Sequence, residues 1–257
     1  MATAIRPRGA AGIGGSGLRC AVVALSSRTE TIEMPGGSRM DAYVVLPEPG
    51  SGPGVLVLME IFGVGPYIRR ACERLAELGY VALAPDLYRR LEPGLELAHD
   101  DDGMQQAMAA AQRLDAPGAI EDAVVALGAL RALPETTGRT GVLGFCLGGR
   151  LAYGVAAAAD PDAAVAYYGS GIADALGQAG EIECPVLFHF GGEDQFIART
   201  DAERVGAAAA ERDDWEFAIQ EDGGHAFDNH ESARFHRPAA AARAWDLTRD
   251  FLARRVG

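Results

Sequence analysis

The segment from Val142 to Gly149 constrains the fold of this chain more than any other part of its sequence. It reads Val-Leu-Gly-Phe-Cys-Leu-Gly-Gly, so an apolar run ends in Gly-x-Cys-x-Gly, and a helix-prone stretch follows from Arg150 to Ala159. A strand, a sharp turn with one reactive side chain and a helix are the parts of a nucleophile elbow. Cys146 would then project at a helix N-terminus, where the helix dipole favours the thiolate. A glycine-rich turn that only packs tightly is the alternative.

Composition places the chain among globular proteins of ordinary size. Its 257 residues are 49% hydrophobic and 23% charged, which suits one domain with a sizeable core. The formal net charge of −13 disfavours nucleic acid and anionic membrane surfaces, and no apolar run approaches the roughly 20 residues of a membrane span. All 23 basic residues are arginine, so Schiff-base chemistry, a Walker-type lysine and a Ser-Lys dyad are excluded. We therefore expect a small-molecule substrate, no nucleic acid and no membrane.

Neither the cysteines nor the histidines have the spacing of a metal site. The four cysteines (20, 72, 146 and 184) form no Cys-x-x-Cys pair, and a chain of this size needs no disulfides, so a cytoplasmic location is expected. His225, His230 and His236 with Asp228 match no standard ligand set, and no metal is expected. His189 lies in an apolar run and is expected to be a core histidine.

The first 28 residues differ in composition from the rest of the chain. They contain four arginines and no acidic residue, which favours a disordered N-terminal tail. A transit peptide is the alternative, because such peptides are rich in arginine and poor in acids. Residues 29–257 are expected to form a single domain.

Strand and helix patterns alternate from Thr29 onward. Short apolar runs between turn residues indicate strands, and longer stretches with apolar residues at helical spacing indicate helices. The predicted strands are 41–46, 54–59, 81–84, 140–145, 163–168, 185–190 and 215–220, and the predicted helices are 67–78, 105–114, 119–133, 147–159, 197–211 and 238–254. This alternation predicts an α/β fold with a mostly parallel sheet and helices on both faces.

Three chemically suitable side chains follow three different predicted strands. They are Cys146, Asp194 and His225. Parallel-sheet enzymes bind ligands beyond the carboxyl ends of their strands, and a thiol nucleophile needs a base that is oriented by an acid. The chain order nucleophile, acid, histidine is that of the α/β-hydrolase fold, so we predict this fold and this catalytic triad. Taken singly, Asp194 could be a helix N-cap and His225 a loop histidine.

The loop after the strand at 54–59 is the expected second half of the site. The backbone N–H groups of Ile61 and Leu147 would form the oxyanion hole. Glu60 is unusual beside them, because a carboxylate opposes a developing negative charge unless it is paired or protonated. It is either a strand-end acid that faces solvent or a carboxylate that holds or takes the thiol proton.

Five motifs occur together and in order along the chain. They are Glu60-Ile61-Phe62-Gly63-Val64, Pro85-Asp86-Leu87-Tyr88, Gly144-Phe145-Cys146-Leu147-Gly148-Gly149, Gly191-Gly192-Glu193-Asp194 and Gly224-His225-Ala226-Phe227. From about Thr29 to the C-terminus, the chain resembles the dienelactone hydrolase (carboxymethylenebutenolidase) family.

That resemblance implies an activity and a role for each site residue. The reaction would be hydrolysis of a small ester or lactone through an acyl-thioester intermediate, without a cofactor. Cys146 would be the nucleophile, His225 the base, Asp194 its orienting acid and Glu60 the carboxylate that governs the thiol proton. A monomer or a small homo-oligomer is expected.

The chain departs from the best-known lactone hydrolases of that family, which hold their substrate's carboxylate with two arginines. Met104 and Asn229 lie near those positions here, and Ala226 replaces the serine after the triad histidine. Neither Met nor Asn replaces a bidentate arginine, so we expect a neutral or differently shaped ester or lactone rather than dienelactone. The residues expected to contact substrate are Phe62, Tyr88, Met104, Phe227 and Asn229.

Two questions stay open at the level of sequence. Glu60 lacks the arginine that would pair with it, and the possible substitutes are Arg69, Arg89, Arg90, Arg234 and Arg237. The same triad could also hydrolyse another acyl class, such as a thioester or a small amide. A hydrolase fold that only binds ligands or senses oxidants through Cys146 is the non-enzymatic alternative, which a triad in register disfavours.

Overall fold

The computed structural model describes residues 25–257, and most of the predicted tail lies outside the described residues. Eight strands form one sheet in the order β1-β2-β4-β3-β5-β6-β7-β8. The strands are β1 (Ser26–Glu33), β2 (Arg39–Leu46), β3 (Gly52–Leu58), β4 (Val81–Pro85), β5 (Thr136–Phe145), β6 (Ala163–Tyr167), β7 (Val186–Gly191) and β8 (Trp215–Gln220). The helices are α1 (Pro66–Glu77), α2 (Asp101–Arg113), α3 (Ala116–Ala132), α4 (Leu147–Ala159), α5 (Arg199–Ala210) and α6 (Pro238–Arg255), with a 3-10 helix at Ala173–Glu181.

The sheet is mostly parallel, as predicted. The six strands from β4 across to β8 run parallel, and β2 is antiparallel to both β1 and β4. The chain passes from β3 to β4 in the direction of β1 by a right-handed crossover, whereas the later crossovers run toward β8. Helix α1 therefore covers one face of the sheet, and α4 and α5 cover the other. On the α1 face, Arg74 lies 3.7 Å over the ring of Trp245 in α6. The predicted α/β-hydrolase architecture is confirmed.

The central strands are buried on both faces, which explains their continuous apolar runs. Val55, Leu56, Val57 and Leu58 of β3 have no exposed surface. Parallel strands covered by helices on both sides have this pattern, in contrast to the alternation of a half-exposed strand. None of the helices between residues 25 and 257 is long and apolar enough to cross a membrane.

The predicted boundary between tail and domain at residue 29 is three residues late. β1 begins at Ser26, which pairs with Leu46 of β2. Arg28 forms ion pairs with Glu30 at 2.5 Å and with Glu135 at 3.0 Å. Residues 26–28 therefore belong to the sheet. β1 was not among the predicted strands, because an edge strand with mostly polar residues lacks the apolar signal.

Several other boundaries differ from the prediction for identifiable reasons. Helix α2 begins at Asp101 rather than 105, because the Asp100 carboxylate accepts a hydrogen bond from the Gly103 N–H at 2.8 Å and caps the helix. Strand β5 begins at Thr136 rather than 140, and its first residues pair with β3 across a bulge at Gly52. The 3-10 helix was not predicted.

Candidate active site

The elbow at Cys146 has the predicted strained geometry. Cys146 lies between β5 and α4 with φ 53° and ψ −114°, and its N–H donates to the Tyr167 carbonyl at 3.0 Å. A Cβ on Gly144 would lie 2.0 Å from the Gly148 carbonyl oxygen, and one on Gly148 would lie 2.2 Å from the Leu58 carbonyl oxygen. The motif glycines are thus required because the turn, the helix and β3 approach one another too closely for a side chain.

The three predicted triad residues meet at the carboxyl edge of the sheet. His225 Nε2 lies 3.1 Å from Cys146 Sγ, and His225 Nδ1 lies 2.9 Å from Asp194 Oδ2. The other Asp194 oxygen accepts hydrogen bonds from the N–H groups of Phe196 and Ile197 at 2.8 and 3.0 Å. Asp194 does not cap α5, whose N-cap is Ala198. The arrangement has the contacts of a nucleophile, base and orienting acid.

The charges around His225 favour its protonated form. Burial opposes a charge on the imidazole, but the neighbouring Cys146 and Asp194 outweigh that cost and raise the pKa of His225 to about 10. The ring is also packed between Tyr168 and Phe196, with centroids 5.3 and 5.1 Å away. An imidazolium beside the sulfur is the partner that a thiolate nucleophile needs.

The loop after β3 is held in place by contacts with two other segments. The Tyr88 hydroxyl donates to the Ile61 carbonyl at 2.8 Å. Gly63 has φ 83°, and a Cβ there would lie 2.0 Å from the Leu95 carbonyl oxygen, while the Leu97 N–H donates to the Phe62 carbonyl at 3.0 Å. These contacts fix the backbone that carries the Ile61 N–H.

The carboxylate of Glu60 is buried and has two partners, neither of which is an arginine. His99 Nε2 lies 2.7 Å from Glu60 Oε1, and Asn229 Nδ2 donates to Oε1 and Oε2 at 3.0 and 3.1 Å. Glu60 is 2% exposed, so it does not face solvent. Between residues 25 and 257, no hydrogen bond joins Glu60 to Cys146.

The arginines considered as substitutes lie elsewhere. Arg69 pairs with Glu96, Arg89 and Arg90 both pair with Asp122, Arg237 donates to backbone carbonyls, and Arg234 lies over the ring of Phe235. His99, which was not predicted as a site residue, contacts the Glu60 carboxylate where an arginine was expected. Its only local signal is its position directly before the cap of α2.

Cys146 opens into a cavity of about 240 Å³. Of the five residues expected to contact substrate, Phe62, Met104 and Asn229 line this cavity, and Tyr88 and Phe227 do not. Tyr88 instead supports the Ile61 backbone, and Phe227 is fully buried against Tyr168. The lining also includes residues that were not predicted for it: His99, Met108, Arg150, Ser170, Phe196 and Phe235.

Three further polar residues, Asp228, His230 and His189, have structural partners. Asp228 is buried and pairs with Arg74 at 3.0 Å, and it accepts a hydrogen bond from the Tyr67 hydroxyl at 2.9 Å. His230 lies 3.3 Å from Glu231. His189 is the expected core histidine: it is fully buried, its Nε2 contacts the Thr248 hydroxyl at 3.0 Å, and burial lowers its pKa to about 3.

Comparisons with known proteins show the family of this chain. The model of the dienelactone hydrolase family matches residues 40–256. A carboxymethylenebutenolidase of Pseudomonas putida is 34% identical over 224 residues, which is 87% of this chain and 94% of that protein. The carboxymethylenebutenolidase of Pseudomonas sp. strain P51 is 37% identical over 228 residues, with the same coverage of 87% and 94%.

Solved structures lead to the same family. A candidate dienelactone hydrolase from Klebsiella pneumoniae has a TM-score of 0.76 and 28% sequence identity, and the match covers 90% of this chain and 99% of that one. The residues matched by the family model include the elbow, Asp194 and His225. The chain therefore belongs to the dienelactone hydrolase family and is an ester or lactone hydrolase with the α/β-hydrolase fold.

Proposed function

We propose that this protein hydrolyses a small ester or lactone with Cys146 as nucleophile and an acyl-thioester as intermediate. The observation that carries the proposal is the continuous contact from Cys146 Sγ to His225 and on to Asp194, at 3.1 and 2.9 Å. A thiolate beside an imidazolium is a strong nucleophile at neutral pH, because the histidine has already taken the proton.

The first half of the reaction forms the thioester. The Cys146 thiolate attacks the carbonyl carbon of the substrate, and the N–H groups of Ile61 and Leu147 stabilise the oxyanion. Leu147 is the first residue of α4, so its N–H has no partner within the helix. The tetrahedral intermediate then collapses, the C–O bond breaks, and His225 gives its Nε2 proton to the departing alkoxide. From a lactone, this alcohol stays attached to the acyl group.

The second half releases the acid. His225, now neutral, takes a proton from a water molecule as that water attacks the thioester carbonyl. The C–S bond breaks, the acid leaves, and the thiolate–imidazolium pair is restored. Asp194 keeps the imidazole oriented through both halves by its hydrogen bond to Nδ1.

The cavity favours a neutral substrate. Its wall includes the apolar side chains of Phe62, Met104, Met108, Phe196 and Phe235. Asn229 replaces a family arginine, and its amide is already bound to Glu60, so it offers no clamp for a substrate carboxylate. Phe196 is 54% exposed and gives the entrance an apolar side chain.

One observation favours an anionic substrate as the second candidate. Arg150 also lines the cavity, and its Nη1 is buried without a hydrogen-bond partner among residues 25–257. A guanidinium without an acid partner is suited to bind a carboxylate. In this case Arg150, one turn after the nucleophile, would take over the role of the absent family arginines.

A substrate panel tests both candidates and the alternative acyl classes. We would compare neutral aryl esters, neutral lactones, carboxylated lactones, thioesters and small amides with the wild-type protein and with Arg150→Met. We expect the highest kcat/KM for neutral esters or lactones and little change in Arg150→Met. Preference for carboxylated substrates that is lost in Arg150→Met would instead support the anionic class. Preference for thioesters or amides would replace the ester assignment.

We also propose that the enzyme works in the cytoplasm as a monomer or a small homo-oligomer. Cys72, Cys146 and Cys184 are free thiols, which suits a reducing compartment. Sedimentation of the purified protein would test the oligomeric state, and fractionation of the source cells would test the location.

A further inference from the structure

His99 reaches the candidate active site from outside the proposed triad. Its Nε2 lies 2.7 Å from Glu60 Oε1, and its ring lies against Phe62 with the two centroids 4.1 Å apart. The His99 side chain is 9% exposed and the Glu60 side chain 3% exposed, and both line the cavity that contains Cys146. Removing one partner of a buried carboxylate reduces the compensation of its charge, so His99 is suited to influence Glu60.

Asn229 holds the same carboxylate from a different element. Its Nδ2 contacts both Glu60 oxygens, and its Oδ1 accepts a hydrogen bond from the Glu231 N–H at 2.9 Å. The contact with Glu231 fixes the direction of the amide, so the NH₂ group faces Glu60. His99 and Asn229 together occupy both oxygens of the carboxylate, and Cys146 contacts His225 instead.

The fold fixes the position of His99. The segment before it is bonded to the loop after β3, because the Leu97 N–H donates to the Phe62 carbonyl and Gly63 bridges to Glu96. Asp100 directly follows and caps α2. His99 therefore lies between two segments that are held by hydrogen bonds. These bonds keep its imidazole within hydrogen-bond distance of Glu60.

We propose that His99 is a positioning residue that, with Asn229, holds the Glu60 carboxylate at the cavity wall and away from the Cys146 thiol. This proposal rests on the proposed thiol hydrolase and assigns Glu60 a restrained role within it. A released carboxylate would accept a hydrogen bond from the S–H or place a second negative charge beside the thiolate. Both effects favour the protonated thiol. The restrained carboxylate leaves Cys146 paired with His225.

The other ionisable groups around the two residues do not compete for the proton. Tyr67, Tyr88 and Tyr168 face Glu60 or Cys146, and burial raises the pKa of each phenol above its usual value, so all three stay neutral. Among residues 25–257, the other ionisable residues that line the cavity are His225, whose partner is Asp194, and Arg150.

The experiment measures how the alkylation rate of Cys146 by iodoacetamide depends on pH. The variants are His99→Leu, which removes the donor, His99→Gln, which keeps an amide donor, Glu60→Gln, and the His99→Leu/Glu60→Gln pair. All are made in a Cys20→Ser background, and labelling is read by mass spectrometry of the peptide that contains Cys146. Cys72 and Cys184 are buried and are quantified as slow-reacting internal standards. Circular dichroism confirms that each variant is folded.

We expect His99→Leu to raise the pH midpoint of labelling by about one unit or more, because Glu60 is then held by Asn229 alone and can turn toward the thiol. His99→Gln should stay near the wild-type midpoint, and the double variant should return to it, because the released side chain then has no charge. A folded His99→Leu protein with the wild-type midpoint would overturn the proposal, and so would a double variant that keeps the full shift.

The outcome is separable from that of the proposed hydrolysis. The midpoint is read on the thiol itself and needs no substrate. Ester hydrolysis that persists in Cys146→Ala would refute the proposed function and would not alter the midpoint comparison. Hydrolysis that depends on Cys146, together with an unshifted midpoint in His99→Leu, would refute only the role of His99.

Discussion

At the residue scale, the proposed chemistry depends on one contact between sulfur and imidazole. His225 is largely buried, and burial alone would keep it neutral. Cys146 and Asp194 reverse this preference and raise the pKa of His225 to about 10. These neighbours therefore favour the charged form of the histidine.

This account predicts the direction in which the His225 pKa moves when the sulfur is removed. In Cys146→Ala, the attraction to the thiolate is lost and the cost of burial remains, so the pKa of His225 should fall by more than one unit. NMR titration of the imidazole signals measures it, with His225→Gln used to assign the resonance. A His225 pKa that is equal in the two proteins would mean that the sulfur is not charged beside it.

The meeting of Cys146, Asp194 and His225 could be predicted from the sequence, and the partners of Glu60 could not. Cys146, Asp194 and His225 each follow a strand with a clear apolar pattern, so their meeting point follows from the sheet. His99 lies in a connection without such a pattern, and its contact with Glu60 depends on how the segment of residues 95–99 packs on the loop after β3. The arginines of the family could not be used to predict the partners of Glu60, because this chain has Met104 and Asn229 near their positions.

At the element scale, the elbow is held by a close approach of α4 to β3. The missing side chain of Gly148 makes room for the Leu58 carbonyl. Strand and helix interiors were predicted well here, because their apolar patterns are strong. The ends of strands and helices were predicted less well. A cap such as Asp100 depends on a single hydrogen bond, and a polar edge strand such as β1 depends on its pairing.

Gly148→Ala should destabilise the protein by roughly 1–3 kcal/mol, the usual cost of overpacking, because the new Cβ would lie 2.2 Å from a backbone oxygen. Gly128→Ala in α3 is the matched control. It meets no atom within 4 Å and should stabilise the helix by about 0.5–1 kcal/mol. Urea denaturation of both variants measures the two changes, and equal effects would contradict the close approach at the elbow.

At the scale of the whole molecule, a buried ion cluster joins the connection after β4 to α3. Asp122 is 2% exposed and pairs with Arg89 at 2.7 Å and with Arg90 at 2.8 Å. Burial raises the pKa of its carboxyl, but Arg90 and Arg89 outweigh this effect and hold the pKa below its usual value. The mostly parallel sheet could be predicted from the sequence, whereas this cluster could not, because it depends on packing between distant segments.

Asp122→Asn should lower the free energy of unfolding at pH 7 by about 3–5 kcal/mol, the usual effect of breaking a buried ion pair. A carboxyl with a lowered folded pKa stabilises the protein above its unfolded pKa of about 3.9 and loses that contribution as the pH falls. The difference in the free energy of unfolding between wild type and Asp122→Asn should therefore shrink below pH 4. Glu121→Gln, at an exposed neighbouring pair, should change stability by about 0–1 kcal/mol. A pH-independent difference for Asp122→Asn would argue against the ion cluster.

The most direct test of the central claim is intact-protein mass spectrometry during turnover of p-nitrophenyl acetate, with wild type and Cys146→Ala side by side. We expect the wild-type protein to gain the mass of one acetyl group, with peptide mapping placing it on Cys146. The variant should neither gain this group nor hydrolyse the ester above background. Equal hydrolysis by both proteins, with no acyl group on Cys146, would contradict the thiol mechanism.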